Sequence, residues 1–113
     1  MAAASRAHLS YIWGLAHRKL GLVADLVRGK KVQNALDILA FTNKKGARII
    51  SKVIRSAIAN ADQKGKVDVD NLYVSQIDVG QGMHHYRIHA RARGSAFWIR
   101  KKTSHVTVEL GER

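Results

Sequence analysis

Three successive segments of the chain repeat apolar residues at intervals of three and four positions, the spacing of one helix face. They run over residues 17–29, 32–39 and about 42–62, with the apolar stripes Leu20, Val23, Ala24 and Val27, then Val32, Ala35, Leu36 and Leu39, then Ala47, Ile50, Ile54, Ala57, Ile58 and Ala61. Gly29 suits a left-handed helix end, and Thr42 or Asn43 suits the N-cap of the third helix. The pattern therefore predicts three amphipathic helices.

Three other segments alternate apolar and polar residues with a period of two, which is typical of β-strands. They are HLSYIWGL from residue 8, LYVSQIDV from residue 72 and TSHVTVEL from residue 103. The predicted faces are Leu9, Tyr11 and Trp13 in the first strand, and in the third Val106, Val108 and Leu110 opposite His105, Thr107 and Glu109. The segment QKGKVDVDN, which precedes the second strand, is typical of a turn.

The order of these elements is one strand, three helices and two strands, with a long basic segment between the last two strands. Helices and strands that are segregated in this way favour an α+β fold, with the helices on one face of a small antiparallel sheet. Tyr86, Ile88 and Ala90 alternate with Arg and His, so residues of about 80–100 are predicted to form a β-hairpin that protrudes beyond the sheet. The length of 113 residues suits a single domain over residues 1–113.

The charge balance indicates an anionic partner. The chain has 20 Lys and Arg against 8 Asp and Glu, a formal net charge of +12, and such a surplus attracts nucleic acid or an anionic membrane. None of the acids lies in residues 1–24 or 79–108, and the second window also contains aromatic residues. Guanidinium groups match phosphate geometry and aromatic rings stack on bases, so nucleic-acid binding is the favoured interpretation.

The candidate binding residues are the cations of the acid-free windows and of the RGKK segment, with one histidine of the last strand. They are Arg6, Arg18, Lys19, Arg28, Lys30, Lys31, Arg87, Arg91, Arg93, Arg100, Lys101, Lys102 and His105.

A membrane partner is not expected, because no apolar run approaches the ~20 residues that span a bilayer. The lack of a signal-peptide core and of cysteine predicts a soluble, unsecreted protein without disulfides.

Catalytic and metal-binding constellations are weak in this sequence. His84, His85 and His89 are close together, but no Cys, Asp or Glu near them could complete a ligand shell. Ser104 and His105 are neighbours in a predicted strand, where adjacent side chains point to opposite faces, so they do not form a nucleophile–base pair. We therefore expect no enzyme activity, no catalytic residue, no metal and no cofactor.

Several stretches together resemble the bacterial large-subunit ribosomal protein L twenty-two family, also called uL22. In chain order they are RKLGLVADLVRGKKVQNALDIL, FTNKK, VIRSAIANA, NLYVSQIDV, RARG and KKTSHVTV. They run from about Arg18 to Val108, and the spacing from Gly94 to His105 also matches the family signature.

The resemblance implies three helices against a three-stranded antiparallel sheet, with a long protruding basic hairpin. It implies a structural constituent of the large ribosomal subunit that binds ribosomal RNA early in assembly. Its partners would be this RNA and neighbouring ribosomal proteins, in the cytoplasm rather than in an organelle. The hairpin would line the polypeptide exit tunnel and meet the nascent polypeptide near the macrolide site, with a tip formed by Met83, His84, His85 and Tyr86.

Two family prolines are replaced here by Met83 and Ala90, and the chain contains no proline. Because proline fixes φ, the hairpin is expected to be looser than in the family.

The residues alone leave two other functions open, an architectural DNA-binding protein with an arginine-rich β-ribbon and a small histidine-dependent nuclease. The first lacks the proline wedge of many such arms, and the second lacks an acid–base or metal constellation.

Overall fold

The computed structural model describes residues 5–13, 17–65, 69–82, 85–90, 96–101 and 103–112 of the chain, with side chains at all of these except residues 10, 11, 13, 69, 85–90 and 96–101. The first elements are strand β1 (Ser5–Trp13) and helices α1 (His17–Val27), α2 (Val32–Phe41) and α3 (Lys45–Lys64). They are followed by a 3-10 turn (Val69–Asn71) and strands β2 (Leu72–Gln81), β3 (His85–Ala90), β4 (Ala96–Lys101) and β5 (Thr103–Glu112).

Strand β5 is the centre of the fold, because it pairs antiparallel with β1 on one side and with β2 on the other. Strands β3 and β4 pair antiparallel with each other as a two-stranded ribbon. The molecule is elongated, with principal extents of 63 × 26 × 19 Å. The predicted α+β fold, with three helices, a three-stranded antiparallel sheet and a basic hairpin, is confirmed.

The helices pack on one face of the three-stranded sheet through their apolar stripes. Almost all residues of the three predicted stripes are buried, and the two exceptions, Leu36 and Ile58, are partly buried against the same core. The central strand contributes Val106, Val108 and Leu110, which are fully buried as their alternation predicted. Each fully buried side chain of this size contributes about 1.5–3 kcal/mol, so the contact between helices and sheet is the main source of stability. Of the helices described, none is both long and apolar enough to cross a membrane.

A bulge in each outer strand changes which residues face the core. In β1 the pairing with β5 shifts between Leu9 and Ile12, and Ile12 is buried although its parity is opposite to that of Leu9. The extra residue of the bulge reverses the alternation, so the face predicted from Leu9 does not continue along the strand, and the side chains of Tyr11 and Trp13 lie outside the described residues. Strand β2 has a similar shift of register directly after Val74.

The ends of two helices test the predicted caps. Gly29 follows α1 with a φ of 81°, the left-handed conformation predicted for it. The N-cap prediction for α3 is wrong, because the helix begins after Lys44 and no described side chain caps it. The hydroxyl of Thr42 instead donates to the Ile38 carbonyl at 2.7 Å, so it satisfies a carbonyl in the last turn of α2.

Gly29→Ala and Gly21→Ala should change the free energy of unfolding in opposite directions. The left-handed conformation of Gly29 costs an L-residue about 1–2 kcal/mol, so alanine should destabilise the protein there. A Cβ on Gly21 would meet no atom within 4 Å beyond its own helix backbone, and alanine favours a helix by about 0.8–1 kcal/mol over glycine. Urea unfolding measures both changes, and a loss of stability in both variants would contradict this description of the turn.

Candidate nucleic-acid interface

The RGKK segment forms a turn that is hydrogen-bonded along the outer edge of β2. The N–H of Gly29 donates to the Val74 carbonyl at 2.9 Å, and the N–H of Val74 donates to the Lys30 carbonyl at 2.8 Å. Such pairing covers backbone groups that an edge strand would otherwise expose. The turn thereby holds the exposed side chains of Lys30 and Lys31 in a defined place beside the sheet.

Two of the predicted binding arginines already contact acids within the protein. Arg6 donates to the Glu109 carboxylate across β1 and β5. Arg28 donates to the Asp25 carboxylate and, at 2.9 Å, to the Ile77 carbonyl. Exposed ion pairs of this kind contribute little to stability, but each one offsets part of the charge that a phosphate would meet.

Helix α3 carries a row of cations that sequence reasoning did not identify. Lys45, Arg48, Lys52 and Arg55 are exposed and recur at intervals of three and four residues, which places them on one face of the helix, away from its buried stripe. We call these four residues the α3 stripe. None of them forms an ion pair within the described residues. The signal that would have found the stripe is the helical period of the cations themselves.

Two helices begin with cations and no acid. Arg18 and Lys19 lie in the first turn of α1, while Lys44 and Lys45 lie at the start of α3, and neither first turn contains an acidic residue. Cations at this end oppose the helix dipole, which favours negative charge there. An anionic partner would relieve this unfavourable interaction, so both helix starts favour binding of phosphate-rich molecules.

His105 lies on the sheet face that the helices leave uncovered. Its half-buried ring packs against Gly80 of β2, and the ring centroid is 5.8 Å from that of His8 on β1. Nδ1 of His105 is buried and has no hydrogen-bond partner in the described part of the chain, whereas Nδ1 of His8 is 2.8 Å from the Thr107 hydroxyl. The ring is therefore packed into the sheet surface, and an RNA contact of His105 stays a prediction.

The register of the ribbon places its connecting segment later in the chain than predicted. Ala90 pairs with Ala96, so residues 91–95 connect β3 to β4. His85 and Tyr86 instead pair with Lys101 and Arg100 at the opposite end of the ribbon, and their predicted contact with the tunnel stays a prediction.

Several candidate residues of the hairpin can be located only in part. Arg87 lies in β3, and Arg100 and Lys101 lie in β4, each known by its backbone pairing. The remaining candidates of this segment lie outside the described residues; they are Met83, His84, Arg91, Arg93 and Lys102.

The chain is similar to known proteins over nearly its whole length. A family model for Ribosomal protein L22p/L17e matches residues 8–111. The chain is 50% identical over 109 residues to the large ribosomal subunit protein uL22 of Syntrophotalea carbinolica, with 96% of this chain and 98% of the relative covered. It is also 50% identical over 99 residues to the large ribosomal subunit protein uL22 of Caldicellulosiruptor saccharolyticus, with 88% and 81% covered.

Gly80→Ala should destabilise the protein through the His105 ring. A Cβ on Gly80 would lie 2.3 Å from Cε1 of that ring, so the ring must move out of its packed position. Overpacking of this kind typically costs about 1–3 kcal/mol in the free energy of unfolding. In a His105→Ala background the same substitution should cost much less, because the ring is gone. A cost that is equal in the two backgrounds, measured by urea unfolding, would show that another contact is responsible.

Proposed function

The chain belongs to the ribosomal protein L22p/L17e family and is a structural constituent of the large ribosomal subunit, and we propose that it enters the subunit early in assembly by binding large-subunit ribosomal RNA. The family consists of ribosomal proteins and is not a family of enzymes. The observation that carries the proposal is the match over residues 8–111, because it covers the helical layer, the ribbon and most of the sheet rather than one motif.

We assign the RNA contacts to exposed cations that the protein itself leaves without acids. They form three groups, the cations in the first turn of α1, the lysines of the RGKK turn on the edge of β2 and the α3 stripe. Lys and Arg bind phosphate oxygens through charge-assisted hydrogen bonds, and release of counterions from RNA adds to the affinity. Duplex DNA would attract the same cations, but membership in a ribosomal family favours RNA.

We further propose that the ribbon of β3 and β4 borders the polypeptide exit tunnel, beside nascent polypeptides and neighbouring ribosomal proteins. The support is the family resemblance together with a ribbon that pairs apart from the three-stranded sheet. We assign the wall contact to residues 83–86, which contain no Lys or Arg, and RNA contacts to the arginines that follow them. The bacterial relatives favour cytoplasmic ribosomes as the location.

Sedimentation tests the proposed function directly. A tagged full-length chain, expressed in a bacterium, should migrate with large subunits in a sucrose gradient at low salt. It should also appear in early large-subunit precursors, because the proposed RNA contacts form early. A chain that stays at the top of the gradient, or that is found with small subunits, would contradict the proposal.

Replacing Arg48, Lys52 and Arg55 by Gln should weaken binding to a large-subunit RNA fragment and reduce its salt dependence. Each phosphate contact contributes about 0.7–0.9 to the slope of log K against log salt, so the slope should decrease by up to about 2–3. Replacing Arg48 and Arg55 by Lys keeps the charge, so the slope should not change even if bidentate contacts weaken. Filter binding at several salt concentrations measures the slope, and an unchanged slope in the Gln variant would exclude the α3 stripe from the interface.

Two hairpin variants should separate tunnel contact from RNA contact. Met83→Ala, His84→Ala and Tyr86→Ala together remove no Lys or Arg, so subunit assembly should continue while sensitivity to macrolides changes. Arg91→Ala with Arg93→Ala should instead reduce incorporation into subunits. Substitution is preferred to deletion, because removing an odd number of residues would reverse the faces of β3.

Complementation of a strain that lacks its own copy allows subunit profiles and macrolide inhibition to be measured for both variants. If the first variant blocked assembly while the second changed only the drug response, the proposed assignment would be inverted.

A further inference from the structure

Phe41 is the most exposed of the large apolar side chains that the structure describes, with 91% of its surface accessible. It is the last residue of α2, and the helix packs on the core through other residues, such as Ala35 and Leu39. An aromatic ring that buries almost no surface gives the fold no hydrophobic stabilisation. The reason for an aromatic residue at this position must therefore lie outside the protein's own core.

The ring borders an open groove of about 590 Å³ between the end of α2 and the exposed side of α3. We call it the Phe41 groove. Four cations line it together with polar and small residues, and none of its described lining residues is acidic; the cations are Lys44, Lys45, Arg48 and Arg55. The volume lies within the range of roughly 300–1,000 Å³ that small-molecule sites occupy. The groove therefore combines a free aromatic face with a cationic wall.

The backbone that carries these side chains is held by hydrogen bonds. The Thr42 N–H donates to the Leu39 carbonyl at 3.3 Å, and the Thr42 hydroxyl donates to the Ile38 carbonyl at 2.7 Å. On the other side, the Ala47 N–H donates to the Lys44 carbonyl at 3.2 Å. Because both sides of the connection are bonded, the backbone that carries the ring and the cations is held in place, which lowers the entropy lost on binding.

We infer that the Phe41 groove binds an unpaired nucleobase of RNA, with the base stacked on the Phe41 ring and the adjacent phosphates bound by the four cations. This inference rests on the proposed function and adds the kind of RNA element that the protein binds there. Bases within a duplex are already stacked on both faces, so only a base in a loop, bulge or single strand can offer a free face. Aromatic rings and basic side chains are the two components of such sites.

An acidic peptide is the main alternative occupant, because it would also satisfy the cations. It does not require an aromatic face, however, and a leucine at position 41 would serve it equally well. The difference between a flat aromatic ring and an aliphatic side chain of similar hydrophobicity therefore separates the two occupants.

The first test observes the ring itself. The chain has two phenylalanines, Phe41 and Phe97, so the full-length protein labelled with fluorophenylalanine should give two fluorine resonances, which Phe97→Leu assigns. A short single-stranded oligoadenylate should shift the Phe41 resonance by the ring current of a stacked base. An RNA duplex of equal length should leave it nearly unchanged. A Phe41 resonance that single-stranded RNA does not move, or that polyglutamate moves as strongly, would overturn the inference.

The second test measures affinity for the same oligoadenylate. Phe41→Ala should weaken binding about fivefold or more, the effect expected for loss of one stacked base. Its salt slope should not change, because no phosphate contact is lost. Phe41→Trp should retain the affinity, whereas Phe41→Leu should lose it as alanine does. Leu22→Ala is the matched control, because Leu22 is also an exposed apolar residue, 71% accessible, but does not line this groove.

The variants should all fold, since the ring is exposed, and urea unfolding verifies this. If Phe41→Ala or Phe41→Leu binds as the unchanged protein does, stacking is excluded. If the unchanged protein binds a large-subunit RNA fragment and enters subunits, but Phe41→Ala and Phe41→Leu do not change the affinity for oligoadenylate, only the inference about the groove fails. Loss of RNA binding and of subunit entry by the unchanged protein would instead be a failure of the proposed function.

Discussion

The burial of one sheet face beneath three apolar helix stripes is the interaction on which the rest of the structure depends. Strand β5 contributes Val106, Val108 and Leu110 to that face, and each helix turns its own apolar residues towards it. A helix with one apolar side buried must direct its other side to solvent. The position of the α3 stripe is thus a consequence of core packing, because it lies on the side of α3 away from Ile50 and Ile54.

The cations on these outward faces have few acids to neutralise them. A formal net charge of +12 destabilises the free protein through self-repulsion. Arg6 and Arg28 are partly compensated by carboxylates, whereas the α3 stripe and the lysines of the RGKK turn form no ion pair among the described residues. Phosphates that approach these cations relieve the repulsion, and a partner that binds only the folded chain also stabilises it. Under the proposed function, folding and RNA binding are coupled through the same charges.

Apolar periodicity predicted those parts of the structure in which one local pattern decides which face is buried. It succeeded for the three helices and for β5, since a single buried face imposes a constant period. It failed in β1, because a bulge depends on the partner strand and reverses the alternation near Ile12. The N-cap of α3 could not be predicted either, because the Thr42 hydroxyl bonds to the preceding helix. Charge along the chain does not predict the α3 stripe, because only the helical period of its cations places them on one face.

Lysine reactivity in the assembled subunit shows whether the cations without internal acids meet RNA there. Acetylation of intact large subunits that contain this protein should leave Lys45 and Lys52 of the α3 stripe and Lys30 and Lys31 of the turn largely unmodified. The same lysines should react fully in the free protein and again after ribonuclease digestion of the subunits. If Lys45 and Lys52 reacted in intact subunits as readily as in the free protein, the α3 stripe would not face RNA, and its assignment to the RNA interface would be wrong.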